Sequence, residues 1–270
     1  MIHSTLILMT AVSFPEPQTK IAKSRRRTTS AKRPAPAQRL RAMHDALFAA
    51  YGPQFWWPAR TSFEVILGAY LTQNTAWKAV ERSLANLREA GALSIEGLRR
   101  ISVDDLAHHI RPSGFYTRKA PALKAFVAMV DAEFGGSLDA LAAQPTDALR
   151  RRLLALPGVG PETADAILLY ALGHAVPVAD EYLRRIAERH RLVHPAPCKD
   201  RRGYEALVQL TRDAFSTEIV AGHAQFFNEF HALTVAVGKA HCGRTARCTD
   251  CPLLGDLQHV RSMEPGRTSR

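Results

Sequence analysis

The feature that most constrains the fold is a break in helical spacing at residues 156–160, which read Leu-Pro-Gly-Val-Gly. A helix cannot continue through this segment, because Pro157 lacks an N–H group and the two glycines permit backbone angles that a side chain forbids. Pro161 then suits the first position of a new helix. Residues 147–155 and 163–172 have helical spacing on either side. The sequence therefore predicts two helices joined by a glycine-rich turn.

A carboxylate follows this turn. The N–H groups of such a turn and the helix dipole both favour an anion such as a phosphate. Further along, Asp180 stands immediately before another amphipathic run that begins at Glu181. An aspartate in that place is by itself an ordinary N-cap, commonly worth about 1 kcal/mol. A carboxylate is also the group that stabilises a sugar cation or activates water in glycosidic cleavage, and one residue can fill both roles.

The charge of the chain is distributed unevenly. The net charge is +11, and residues 1–41 hold nine Lys and Arg against Glu16 alone, which leaves +3 for the rest. Pro, Ser, Thr and basic residues dominate 15–38, so we expect residues 1–37 to form a disordered basic tail, with 263–270 as a short second tail. Such a balance points to a polyanionic partner without identifying it.

Beyond the tail the pattern is helical almost throughout. Apolar residues recur at helical spacing in 38–51, 62–90, 94–110, 117–133, 137–143, 146–155, 161–172, 181–192, 201–215 and 218–240. No alternating strand pattern interrupts these runs, so the sequence predicts an all-α fold. The apolar segment 2–12 is too short to span a membrane, so we expect a cytoplasmic protein without membrane contact. Four cysteines in 270 residues exclude a secreted disulfide framework.

Residues 156–180 together resemble the helix-hairpin-helix and downstream catalytic aspartate of the endonuclease III superfamily of DNA glycosylases. The resemblance covers about 40–256. It implies one helical domain over 60–174, a second over 38–59 with 175–262, and a DNA-processing cleft between them. It also implies double-stranded DNA with damaged bases as the partner, and we expect a monomer. The hairpin residues that would contact DNA are Leu156, Gly158, Val159, Gly160 and Thr163.

The resemblance makes Asp180 the catalytic carboxylate and draws attention to Glu162. Glu162 is two residues after the second glycine of the hairpin. Lyase-competent members have a lysine at that position, and its amine forms a Schiff base with the sugar. A carboxylate cannot form an imine, so the lyase route loses its nucleophile. Glu162 is also favourable in a first helical turn for its charge alone. We predict a monofunctional, water-using glycosylase in which Glu162 is a candidate second acid.

Aromatic residues indicate how a base would be held. Trp56-Trp57-Pro58 is an unusual cluster, and Trp77 follows the segment Leu-Thr-Gln-Asn-Thr. Core packing is the simple interpretation, but glycosylases hold an extruded base between flat apolar faces, which also attract a cationic alkylated purine. With Arg-Pro-Ser-Gly-Phe-Tyr further on, these segments resemble the branch of 3-methyladenine DNA glycosylase III and endonuclease III-related proteins. That resemblance implies a base pocket of these four residues, with Gln73 filling the gap that the base leaves.

The C-terminal cysteines resemble the iron–sulfur loop of the superfamily. Cys242, Cys248 and Cys251 have its spacing, but Leu257 stands where the fourth ligand is expected. The resemblance therefore implies a 4Fe–4S cluster with an incomplete ligand set. A loop that folds without metal is the equal alternative. Three other residues are candidates for the fourth ligand: His241, His259 and Cys198.

Two further functions stay open at the level of the sequence. The first is a bifunctional glycosylase and AP lyase of endonuclease III type, which needs an amine near Asp180 that the motif does not supply. The second is a non-catalytic module that binds DNA through the hairpin. The carboxylate at Asp180 argues against it, because a module that only binds has no use for that charge.

Overall fold

The computed structural model describes residues 34–55, 61–197 and 199–262, with side chains described as far as 258. These ranges contain fourteen α-helices: α1 Pro36–Tyr51, α2 Ser62–Leu71, α3 Trp77–Glu89, α4 Ile95–Arg100, α5 Val103–His109, α6 Tyr116–Phe134, α7 Leu138–Ala142, α8 Thr146–Leu154, α9 Pro161–Ala166, α10 Glu181–Arg189, α11 Arg201–Ala214, α12 Ser216–Val220, α13 Ala224–Ala240 and α14 Leu254–Ser262. They hold no β-strand, so the predicted all-α fold is confirmed. None of these helices is long and apolar enough to cross a membrane.

The helices pack in two groups that share one hydrophobic core. In one group, α6 packs against α2, α4, α5 and α7, and α3 against α2 and α5. In the other, α1 packs against α11 and α13, and α10 against the same two helices. Helix α9 contacts both α2 and α11, so the second helix of the predicted hairpin lies between the groups. The limits of the two predicted domains stay predictions.

The folded body begins earlier than the predicted tail allows. Helix α1 starts at Pro36, so the last two residues of the predicted tail 1–37 are helical. Proline suits the first helical position, and the Gln38 side chain accepts a hydrogen bond from the backbone N–H of Ala35 at 3.2 Å. Arg39, counted above with the basic residues of 1–41, is buried inside the body. Residues 1–33 and 263–270 lie outside the described residues.

The run of helical spacing over 62–90 forms two helices, because α2 and α3 are separated by a loop. Tertiary contacts override the helical spacing there. Lys119 is almost fully buried, and its ammonium donates to Leu71 O at 2.8 Å, Thr75 Oγ1 at 3.0 Å and Ser113 O at 2.9 Å. Within the loop Asn74 is left-handed, with φ of 52°. The ammonium thus binds Leu71 O at the end of α2, the carbonyl that an uninterrupted helix would pair with the Thr75 N–H, which here donates to Thr72 O.

Other predicted runs are interrupted as well. The run 94–110 is divided at Ser102, which caps α5 with its hydroxyl, and the run 218–240 is divided at Gly222, with φ of 70°. The run 161–172 is helical throughout, but α9 passes into a π-helical turn at Ile167–Ala171. In that turn the Leu172 N–H donates to Ile167 O at 3.1 Å, five residues back.

Candidate active site

The predicted helix-hairpin-helix is formed by α8, a turn and α9, with Gly160 as the N-cap of α9. Leu156 and Val159 are each 8% exposed and pack into the core, so only their backbone groups are available to a ligand. Gly158 needs a left-handed backbone, with φ of 75°. Gly160 has an ordinary φ of −91°, and a Cβ built there meets nothing within 4 Å. The turn therefore presents backbone rather than side chains on its open face.

The loop after α2 is joined to this turn. The Gln73 amide donates to Gly158 O and to Thr163 Oγ1, at 2.9 Å in each case. Thr163 is buried, and its hydroxyl accepts the hydrogen bond of Gln73. The structure thus brings Gln73 and the hairpin together, although the sequence placed them in separate segments.

A cavity of about 460 Å³ lies beside the hairpin and contains both candidate carboxylates, Asp180 and Glu162. Its floor and rim come from α9, α10 and α11 and from the loop after α2. The other lining residues include Asn74, Gly160, Thr163, Lys199, Arg201 and Tyr204.

Asp180 uses its two carboxylate oxygens differently. Oδ1 accepts hydrogen bonds from the backbone N–H groups of Tyr182 and Leu183, both at 2.9 Å, and so caps α10. Oδ2 lies 3.4 Å from Nε2 of His231. The side chain is 13% exposed. The N-cap interpretation is therefore correct, and it leaves the second oxygen for chemistry in the cavity.

Glu162 differs from Asp180 in its electrostatic surroundings. It is exposed within the cavity, but protein atoms surround it and replace much of its water. This loss of hydration and the negative charge of Asp180 raise the pKa of Glu162 to about 7, although His231 acts in the opposite direction. Two carboxylates in one cavity are a common basis for acid–base chemistry.

An ion-pair network beneath the cavity was not singled out from the sequence. Arg150 of α8 binds the buried Asp165 of α9 through two hydrogen bonds, at 2.6 and 2.9 Å. The hydroxyl of Tyr204, which lines the cavity, donates to the same carboxylate at 2.9 Å. This network holds the two hairpin helices and α11 in fixed positions. In the sequence, the only indication of this network is that the two hairpin helices carry opposite charges, Arg150 on α8 and Asp165 on α9.

The predicted aromatic pocket is described only in part. Trp56, Trp57 and Pro58 lie outside the described residues. Trp77 starts α3, packs against the core, and donates its indole N–H to Glu81 at 2.9 Å. It is not among the described residues that line the cavity, so its packing agrees with the simple core interpretation. A role of Trp77 in base binding stays a prediction.

Two phenylalanines that belong to the motifs above, but not to the predicted site residues, are exposed and left-handed. Phe55 is 82% exposed with φ of 47°, and Phe115 is 54% exposed with φ of 49°. The carboxylate of Glu229 accepts hydrogen bonds from the backbone N–H groups of Gln54 and Phe55, at 2.6 and 2.9 Å. The Arg118 guanidinium lies 5.7 Å from the centre of the Phe115 ring. Exposed aromatic rings are able to stack on nucleobases.

The C-terminal cysteine loop does not provide a complete ligand set. Cys242 Sγ accepts a hydrogen bond from Arg189 at 2.9 Å, and the fourth position of the superfamily pattern is filled by the buried apolar Leu257. His241 turns its Nδ1 to a backbone oxygen of the loop, at 3.0 Å. In the described part of the chain no three His, Cys, Asp or Glu residues are grouped as metal ligands. These residues do not fit a four-thiolate cluster; Cys198 and the His259 side chain lie outside the described part.

Comparisons with known proteins agree with this architecture. The family described as HhH-GPD superfamily base excision DNA repair protein matches residues 67–211. A protein of Methanocaldococcus jannaschii, provisionally named a DNA repair glycosylase, is 35% identical over 78% of this chain and 92% of its own length.

Solved structures share the fold. The H. pylori 3-methyladenine DNA glycosylase bound to 1,N6-ethenoadenine matches with a TM-score of 0.63 and 29% identity, over 77% of this chain and 98% of that chain. A non-covalent endonuclease III–DNA complex matches with a TM-score of 0.64 and 21% identity, over 83% and 98%, which shows the fold alone. With its hairpin and acidic cavity, this chain belongs to the HhH-GPD superfamily of base excision DNA repair proteins, as a DNA repair glycosylase.

Proposed function

We propose that this protein is a monofunctional DNA glycosylase that hydrolyses the N-glycosidic bond of an alkylated purine in double-stranded DNA. The observation that carries the proposal is the pair of carboxylates, Asp180 and Glu162, in one cavity beside the hairpin. An acid stands where the lyases of the superfamily have an amine. The nucleophile that such a site can supply is water activated by a carboxylate.

The two carboxylates suit different steps. The Asp180 charge stabilises the sugar as positive charge develops on it while the bond to the base lengthens. Glu162, with a pKa raised to about 7 by lost hydration and by Asp180, exchanges a proton near neutral pH. A purine that is already cationic leaves without being protonated. Glu162 is then free to accept the proton of the water that attacks the sugar.

Two observations support a modified purine as the substrate. The similar H. pylori protein is named for 3-methyladenine, and its structure holds 1,N6-ethenoadenine, which is also a modified adenine. In this chain Trp56 and Trp57 directly follow Phe55. The backbone N–H of Phe55 donates a hydrogen bond to Glu229. Electron-rich rings favour a cationic base over a neutral one.

A bifunctional glycosylase and lyase is the second candidate, because one amine does line the cavity. Lys199 Nζ lies 3.1 Å from Glu181 Oε1 at the rim. The Lys199 side chain is exposed, and its ammonium is paired with Glu181. The carboxylate pair therefore favours the hydrolytic reaction.

The experiment incubates the protein with duplexes that carry one defined lesion each: 3-methyladenine, 1,N6-ethenoadenine or an oxidised pyrimidine. We expect release of a modified purine, strand breaks only after alkali, and no protein–DNA adduct with borohydride. An adduct that disappears in Lys199→Ala would establish the lyase instead. Failure to release any base would favour the DNA-binding module. Trp56→Ala and Trp57→Ala should each weaken purine excision by about 1–3 kcal/mol if stacking is lost.

We also propose a monomer that acts in the cytoplasm and needs no iron–sulfur cluster. One chain supplies the hairpin and both carboxylates, so a partner subunit adds nothing that the reaction requires. Arginine side chains already hold the cysteine loop, through Arg189 to Cys242 Sγ and to Gly243 O. Size-exclusion chromatography with light scattering tests the first statement, and iron analysis of the purified protein tests the last.

A further inference from the structure

His231 lies directly behind the proposed catalytic carboxylate. It is in the middle of α13, its side chain is 8% exposed, and Nε2 lies 3.4 Å from Oδ2 of Asp180. The other carboxylate oxygen is held by the backbone N–H groups of Tyr182 and Leu183. The carboxylate of Asp180 is therefore hydrogen-bonded by the start of α10 through one oxygen, and its other oxygen lies in contact with an imidazole of α13.

Tyr170 fixes the far side of that imidazole. Its hydroxyl lies 2.5 Å from Nδ1 of His231. The residue belongs to the π-helical turn Ile167–Ala171, and single π-helical turns inside helices frequently occur at functional sites. Burial and the charges of Asp180 and Glu229 raise the pKa of Tyr170 well above its usual value, so its hydroxyl keeps its proton.

The hydroxyl decides which nitrogen of the ring carries hydrogen. A phenol that donates to Nδ1 leaves the proton of the neutral ring on Nε2, which faces Asp180. If the ring is protonated, Nδ1–H donates to the phenol oxygen and Nε2–H still faces Asp180. In both states the carboxylate has an N–H donor beside it. His231 also acts on Glu162, the other carboxylate of the cavity, in the direction opposite to that of Asp180.

We propose that His231 and Tyr170 are positioning residues of the excision reaction: Tyr170 fixes the imidazole tautomer, and His231 holds the Asp180 carboxylate in its reactive orientation. The proposal rests on the proposed role of Asp180. Carboxylate groups that act on this cluster come from three elements: Glu162 on α9, Glu181 on α10 and Glu229 on α13. The imidazole contacts a fourth acid, Asp180, with Nε2 at 3.4 Å from Oδ2.

The test compares three substitutions that keep the size of the side chains. Glutamine places its amide nitrogen near the position of Nε2, whereas asparagine reproduces only Nδ1. His231→Asn should slow single-turnover excision by about 10- to 100-fold, because a misplaced reacting group costs that much. His231→Gln should stay within about threefold of the wild type, and Tyr170→Phe should lose about tenfold, since one donor persists in each. The dissociation constant for lesion DNA should not change.

His190 provides a matched control. It is also a buried histidine paired with an aspartate, with Nδ1 at 2.8 Å from Asp256, but it lies outside the described lining of the cavity. His190→Gln, whose amide nitrogen does not reproduce Nδ1, should lower the melting temperature without changing the excision rate per folded molecule. If both substitutions of His231 slow excision equally, or only in proportion to lost stability as in the control, the positioning role is overturned while the proposed function stands.

A wild-type protein that releases no base would remove the proposed function, and a second measurement then decides the positioning role. Histidine labelled with ¹⁵N gives a ring signal for His231, identified by its disappearance in His231→Gln. We expect a proton on Nε2, with nitrogen shifts that change in both Tyr170→Phe and Asp180→Asn. A signal that neither substitution alters would overturn the contacts on which the proposal depends.

Discussion

Two regions of this molecule resemble functional segments of the same superfamily, but only one of them is complete. The hairpin and Asp180 keep the glycines, the proline and the carboxylate, and Gly160, Pro161 and Asp180 line one cavity. The cysteine loop has three thiols, and the buried Leu257 takes the place of a fourth. Both regions are nevertheless well connected to the fold.

The difference teaches which tasks other residues can take over. Holding a loop in place is a task that any good hydrogen-bond donor can perform. Here Arg189 binds Cys242, while Arg39 and His190 bind Asp256 just beyond the loop. Stabilising a sugar cation needs a charge at one point, and a neighbouring side chain cannot supply it from elsewhere. The hairpin region is therefore constrained by chemistry, and the cysteine loop by stability.

The largest expected effect is that of Asp180→Asn. Asparagine is as good an N-cap as aspartate, so α10 should remain folded. Loss of the charge should slow single-turnover excision by about 100- to 10,000-fold. Binding of lesion duplex should change little, because the hairpin makes the phosphate contacts. Excision at the wild-type rate would show that the hairpin region is not the chemical centre.

Asp256→Asn tests whether the contacts beside the cysteine loop stabilise the folded protein. Arg39 is 3% exposed at its side chain and would lose its charged partner, so unfolding free energy at pH 7 should fall by about 3 kcal/mol. Excision per folded molecule should be unchanged. Asp131→Asn is the matched control, because Asp131 pairs with the half-exposed Arg99 at the surface and should lose less than about 1 kcal/mol. Equal losses in the two variants would show that the Asp256 contacts do not stabilise the C-terminal region.

The same aspartate predicts a pH dependence. Burial alone would raise the pKa of Asp256, but His190 and Arg39 outweigh it and lower the pKa to about 2. Because the folded pKa lies below the unfolded value, the stabilisation is complete above about pH 4 and disappears as the pH falls to about 2, by about 2 kcal/mol in all. Chemical denaturation between pH 2 and 5 should show this loss in the wild type and not in Asp256→Asn.

A pair of glycine substitutions separates fold from binding inside the hairpin. Gly158→Ala forces a side chain into a left-handed position and should cost about 1–2 kcal/mol of stability. Gly160→Ala has an ordinary backbone and open space, so stability should change by less than about 0.5 kcal/mol. Its methyl group should nevertheless obstruct a phosphate and weaken duplex binding about tenfold, the size of one charged hydrogen bond. Unchanged anisotropy-measured affinity in Gly160→Ala would remove the hairpin from the DNA interface.

The smallest effect on excision is expected from deletion of residues 1–33. The deletion removes seven Lys and Arg and none of the described helices. Nonspecific duplex affinity should fall and depend less on salt, since each neutralised phosphate adds about 0.9 to the logarithmic slope. The excision rate at saturating enzyme should stay the same, because neither region of the comparison includes the tail. An unchanged salt slope would show that the body alone carries the electrostatic attraction.

The parts that the sequence could predict depend on neighbours along the chain. The proline and glycines of the hairpin fix their turn locally, and Asp180 caps the helix that begins with the next residue. The broken helix between α2 and α3 could not be predicted, because the interaction that opens it comes from Lys119. Helical spacing carries no information about such a distant donor.

The site shows the same limit. Tyr170 and His231 are 61 residues apart, and each sits in an apolar helix where its ring looks like part of the core. A π-helical turn changes the direction of the Tyr170 side chain relative to an ordinary helix. No residue type in Ile167–Ala171 predicts such a turn. Arg39 was counted with the basic residues near the tail, but it is buried against Asp256. Only tertiary structure distinguishes these side chains from ordinary core and surface residues.

Lys119 has a consequence for the entropy of binding. Its single ammonium joins the loop after α2 to the turn before α6, and Gln73 joins the same loop to the hairpin. Three segments that we expect to approach the DNA are thus cross-linked before any DNA arrives. These segments lose their conformational entropy during folding. Their ordering therefore does not reduce the free energy of association with DNA. A damaged duplex therefore meets a surface that is already assembled.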